Sequence, residues 1–190
     1  MKIVILSVPH TGTNFTKRLF RDLGWEDVAL NAEPLDNDNA FYVGHIRHDD
    51  LLNRAKWLAV KYPLICPFRH PFRCEESWRR RKKPRPISEM IEGYKIMMDS
   101  FIPMDPYIMP VDSPLRKDCL KVMSKGLLVK LQTDWSVVGT MGTHDLKLED
   151  CIPSDPVIKL ADEMQDFLQQ YYPHQESTNG YTRKKIKRRA

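Results

Sequence analysis

Lys2-Ile3-Val4-Ile5-Leu6-Ser7-Val8 runs directly into Pro9-His10-Thr11-Gly12-Thr13-Asn14-Phe15. The first stretch has strand length and is rich in Val and Ile, as expected of a strand buried on both faces of a parallel sheet. The second is a turn of small and polar residues opening onto a helix expected over 14–23. There Phe15, Leu19 and Leu23 share one face, and Gly24 supplies a stop. A strand, a glycine turn and a helix N-terminus in succession aim backbone N–H groups at a bound phosphate. The competing reading is a plain junction in which the threonine hydroxyls only cap the helix.

Moving outward, residues 40–43 read as a short strand and 50–61 as a helix with Leu51, Leu52, Ala55 and Leu58 on its apolar side. Leu64–Phe68 reads as a second core strand, with Pro63 and Pro67 confining its regular part. A helix is expected over 74–82, and another over 88–100 with a stripe of Ile87, Met90, Ile91, Tyr94, Met98 and Phe101. Pro103, Pro106, Pro110 and Pro114 punctuate the next segment. Residues 107–111 suggest a strand, 115–125 a helix capped by Gly126, and 127–131 and 137–141 further strands. Asp155-Pro156 is the sequence of a helix start, with Asp as N-cap and Pro at the first helical position. That helix should reach 172 and stop at Pro173. Strands and helices alternate best in the first half, so the expected fold is a three-layer α/β/α arrangement on a parallel central sheet, with an irregular helical second half. A single domain is expected over 1–180, followed by a basic tail at 181–190.

The 190 residues carry a net charge of +5. Arg183, Lys184, Lys185, Lys187, Arg188 and Arg189 account for more than all of it, so the basic character belongs to the tail. Such a tail suits contact with a polyanion, or is simply a solvated terminus. No apolar run is long enough to suggest a membrane span, and the apolar N-terminal stretch reads as a core strand rather than a leader. Cys66, Cys74, Cys119 and Cys151 form no CxxC pair, and free thiols in a cytoplasmic setting are expected. Oligomeric state is not legible.

The turn lacks both GxxxxGK[ST] and GxGxxG, which disfavours an ordinary ATP or GTP hydrolase. A second feature joins it. The strand Leu64–Phe68 ends at Arg69, and Ser77 follows eight residues on. A guanidinium fork and a hydroxyl at that spacing could converge on one phosphate. Alternatively, Arg69 pairs with an acidic residue and Ser77 fills surface.

Together, Pro9, His10, Thr11, Gly12, Thr13, Asn14 and Phe15, with Arg69 and Ser77, resemble the sulfotransferase family over roughly residues 1–80. That resemblance implies a P-loop-related fold, 3′-phosphoadenosine 5′-phosphosulfate (PAPS) as donor and the corresponding bisphosphate (PAP) as product. It implies transfer of a sulfuryl group to a hydroxyl or amine acceptor. It also implies that the turn holds the 5′-phosphosulfate and that Arg69 and Ser77 hold the 3′-phosphate. His10 departs from the family's Lys or Arg; protonated, it could act as the cation, or Lys17, Arg18 or Arg73 could. His45 is the best-placed general base and His48 the second. Two further readings stand beside this one. A magnesium-dependent nucleotide or small-molecule kinase would need a carboxylate from Asp49, Asp50 or Asp112. A non-catalytic nucleotide- or polyanion-binding protein would use the turn or the tail. The basic run 79–85 could guide an anion or be a solvated helix end.

Overall fold

The structure is a computed structural model, and it describes residues 1–33, 38–46, 51–80, 86–132 and 148–173. His48, Asp49, Asp50, the run 81–85, the expected strand 137–141 and the basic tail lie outside the described residues. Five strands, β1 (Lys2–Ser7), β2 (Glu26–Ala29), β3 (Ala40–His45), β4 (Leu64–Phe68) and β5 (Tyr107–Pro110), form a parallel sheet in the order β2-β3-β1-β4-β5. The expected α/β/α fold class is correct.

Side-chain alternation along β1 divides the core into two layers. Ile3 and Ile5 pack with Phe15, Leu19 and Phe20 of α1 (Thr13–Arg21), while Val4 and Leu6 join Ala55 and Leu58 of α2 (Leu51–Lys61). The first face also takes α5 (Arg116–Gly126) through Leu120 and Met123. The second takes α3 (Pro71–Arg79), α4 (Ile87–Ile96), α6 (Asp155–Glu163) and α7 (Gln165–Tyr171). The β1–β2 connection therefore runs over one face and the β3–β4 connection over the other, as right-handed crossovers in opposite directions require. The connections leaving β1 and β4 diverge to opposite faces, which makes the carboxyl end of this strand pair the switch point where α/β sheets open a crevice. Here β1 and β4 pair only at Val4↔Leu64 and Ile5↔Ile65, so their ladder ends short of that crevice. Pro67, having no N–H, sits beyond the paired portion and instead faces Met109 of β5 in register.

Several expectations are corrected. Glu26–Ala29 is an edge strand that periodicity missed because only Val28 is buried in it. Residues 127–131 form no strand: Leu128 turns at φ 54°, and the Leu131 N–H donates to Ser124 Oγ at 3.1 Å. Gly126 is the last residue of α5 rather than its cap. The helix expected over 155–172 breaks at Met164 (φ −103°, ψ 12°), and Ser154, not Asp155, flanks its start. The stretch 88–100 is α-helical only to Ile96. A wider π-helical turn, Met97–Phe101, then buries both its first and last side chains.

Candidate functional site: the strand-end turn

At the switch point the chain leaves β1 through a tight turn. His10 lies at φ 72°, a left-handed conformation uncommon for a residue with a side chain, and Gly12 lies at φ 103°. The Thr11 N–H and hydroxyl both donate to the Val8 carbonyl, at 3.2 and 2.7 Å. A Cβ on Gly12 would collide with Val111 Cγ1, so the backbone here lies directly against the residue following β5. No side chain caps α1 at Gly12. The threonines have other work: Thr11 closes the turn, and the Thr13 hydroxyl lies 2.6 Å from Ser7 Oγ.

Ser7 also reaches sideways. Its Oγ is 3.1 Å from Nδ1 of His45, at the end of β3, so one buried hydroxyl joins two strand ends to the first residue of α1. The expected base His45 is thus beside the turn. On the other flank, His10 Nδ1 is 3.0 Å from Ser77 Oγ, and its ring lies 5.4 Å from that of Trp78. Pro9 is buried with its carbonyl near Cys74 Sγ, Phe15 is in the core and Asn14 is exposed. Of the cations considered as substitutes for a lysine at position 10, Lys17 pairs with Asp27 at 2.7 Å. Arg18 lies 3.9 Å from Asp22.

Beyond Val111 the site continues into a cluster whose members Arg69, Arg73 and Asp112 were candidates in the sequence, Arg69 with an acidic partner as its alternative reading, while Arg116 and Tyr172 were missed. Asp112, its side chain fully buried, lies 3.7 Å from Arg69 Nε and 3.2 Å from an Arg73 guanidinium nitrogen. It also accepts from the Tyr172 hydroxyl, while Arg73 donates to its backbone carbonyl at 2.8 Å. Arg116 donates to the Val111 carbonyl at 2.9 Å; burial pushes its pKa down to about 10 against the opposing pull of Asp112. Arg69 is only 2% exposed, and its carbonyl accepts from Tyr94 at 2.7 Å. Three guanidiniums thus gather around one carboxylate beside the turn. The carboxylate weighed as a magnesium ligand, Asp112, is closed in by them. Ser77 lies across the turn on His10. Ser7, the one buried polar residue of β1, was the legible sign of the link to His45.

Among the described residues, no group of three His, Cys, Asp or Glu could hold a metal ion, and no helix is long and apolar enough to cross a membrane. The described cysteines carry free thiols, and Cys66 and Cys74 are buried, which pushes both thiols upward, Cys74 to about 12.

No family model and no curated protein matches the chain. Among solved structures, it resembles the shikimate kinase from Bacteroides thetaiotaomicron, with a TM-score of 0.48 and 14% identity over 68% of this chain and 99% of that one. The sulfotransferase expectation and, with it, the PAPS-dependent activity are corrected: no family model supports them, and the Arg and Ser that suggested a 3′-phosphate site have partners within the protein. The motif outline that suggested that family is a short turn plus an Arg and a Ser. In the fold these two side chains engage Asp112 and His10 respectively.

Proposed function

We propose that this chain binds a nucleoside triphosphate by its phosphates at the β1–α1 turn and acts as a small-molecule or nucleotide kinase. The observation that carries this reading is placement. A turn made left-handed at His10 and Gly12, followed at once by a helix N-terminus, lies at the β1/β4 switch point beside three guanidiniums and one carboxylate. Backbone N–H groups at the start of α1 and the local positive charge favour a polyanionic ligand. Phosphoryl transfer asks mainly for positioning and charge stabilisation, which such a cradle supplies. Magnesium brought in with the nucleotide would supply charge neutralisation of its phosphates. The described side chains do not fit a protein-held ion, since Asp112 is engaged by arginines, and no step is assigned to one.

The test is thermal shift of the purified chain with ATP–Mg²⁺, AMP and PAP in parallel. ATP–Mg²⁺ at a hundredfold excess over its Kd should raise Tm by about 5 °C or more, and AMP by less. No shift with any of the three, or a shift with PAP alone, overturns the reading.

A further inference from the structure

The His45–Ser7–Thr13 chain has more order in it than three adjacent polar groups require. Ser7 is fully buried and Thr13 is 8% exposed, whereas His45 is exposed at the end of β3. Ser7 has one hydroxyl hydrogen and stands between two partners, at 2.6 Å from Thr13 Oγ1 and 3.1 Å from His45 Nδ1. The direction of one contact therefore constrains the other. If Nδ1 accepts, Ser7 donates to His45 and takes the Thr13 hydrogen, so that Thr13 offers only lone pairs onward. If Nδ1 carries a hydrogen, Ser7 accepts from it and can donate to Thr13. The Thr13 hydrogen is then released for a phosphate oxygen.

Thr13 is the first residue of α1, directly after Gly12, where an anion held by the helix N-terminus would sit. Ser7 thus connects an imidazole outside the turn to a hydroxyl inside it. The described side chains lining the small cavity against His45 are Leu6, Leu30, Ile46, Leu51, Leu52, Ala55 and Phe101, all apolar.

We infer that His45 is a positioning residue for the phosphate site, setting through the buried Ser7 hydroxyl whether Thr13 donates to or accepts from the bound ligand. This rests on the phosphate-binding reading above. His45 then touches no reacting atom, in contrast to the general-base role that its sequence position suggested.

The experiment titrates the ¹⁵N-labelled chain with inorganic pyrophosphate, with the His45 ring signals assigned by His45→Gln. In the wild-type chain, saturation with pyrophosphate should move the His45 Nδ1 signal. Ser7→Ala should weaken pyrophosphate binding about fivefold, the worth of one neutral hydrogen bond, and should leave the His45 signals still at saturation. Thr13→Val provides the same break from the other side if Ser7→Ala does not fold. Pyrophosphate binding to the wild-type chain with motionless His45 signals overturns the relay and leaves the phosphate site standing. A His45 response undiminished in the hydroxyl-deleted variant also overturns the relay, because it reports direct contact. Failure of pyrophosphate to bind the wild-type chain overturns both readings.

Discussion

Gly12 is the residue on which the turn depends, for two separable reasons. Its φ of 103° costs a side-chain-bearing residue about 1–2 kcal/mol, and its Cα faces Val111, where an added methyl group has no room. Gly24 provides the internal control, since its φ is 77° but nothing lies within 4 Å of where its Cβ would go. Gly12→Ala should therefore destabilise the fold by about 2–4 kcal/mol, combining backbone strain with overpacking. Gly24→Ala should cost only about 1 kcal/mol. Urea unfolding of the two variants checks this; equal midpoints would show that Val111 yields freely. The glycine turn was legible because a left-handed residue between a strand and a helix has few chemical solutions. The partners of the turn were not. Ser77 meets His10 across a separation of 67 residues, and Arg69 meets Asp112 only because β4 and β5 are neighbours. An Arg at a strand end reads the same in sequence whether it faces a ligand or a buried carboxylate.

Helix α3 shows how an element can be legible in kind and misplaced in extent. Periodicity suggests a start at Cys74, but the helix begins at Pro71, with His70 as its N-cap. Histidine is not a usual cap. Here its Nδ1 accepts from the Phe72 N–H at 3.3 Å while the ring packs edge-on to Phe72 and Tyr172. That role requires a neutral imidazole. Burial, with a smaller push from Arg73, lowers the His70 pKa from 6.5 to about 3. Because the native value is depressed, the unfolded chain binds more protons between these limits. The contribution of His70 is present in full above pH 6.5 and is lost as pH falls toward 3, by a few kcal/mol. His70→Asn keeps an acceptor at the cap without a titrating ring. Unfolding free energies measured between pH 7 and about pH 4 should fall more steeply for the wild type than for His70→Asn. Parallel curves would remove His70 from the acid sensitivity. Residues 127–131 make the complementary point. Their apolar run fits a strand, but Ser124 captures the Leu131 N–H, and its hydroxyl also reaches the Val129 carbonyl, so tertiary context overrides the pattern.

At the scale of the whole molecule, alternating strand and helix patterns implied a parallel sheet, while the order β2-β3-β1-β4-β5 and the closure of the second half onto it were set by distant contacts. Polar contacts from Glu75 and from Asp112 and its neighbour tie the C-terminal helices to the α3 and β5 edge. Glu75, almost fully buried, accepts from the Ser154 N–H at 2.9 Å while pairing with Arg79, which holds the approach to α6 on α3. Asp112 joins Arg69 after β4, Arg73 on α3 and Tyr172 just past α7, and the neighbouring Ser113 hydroxyl bonds the Tyr171 carbonyl. Removing its charge leaves Arg69 and Arg73 facing a neutral amide in a dry environment, a loss of about 3–5 kcal/mol when one partner of a buried ionic group is deleted. Removing only the Tyr172 hydroxyl deletes one hydrogen bond to a charged acceptor, about 1.5–3 kcal/mol. Asp112→Asn should therefore lower the whole unfolding transition. Tyr172→Phe, which keeps the ring against Phe68 and His70, should first loosen amide protection in α6 and α7 while the sheet amides stay slow. Hydrogen exchange resolved by segment distinguishes the two effects. If Tyr172→Phe accelerates exchange equally in β1 and in α7, the C-terminal helices are not a separately opening unit. Asp112 would then be one among many equal core contacts rather than the point where the sheet, the turn and the last helix are joined.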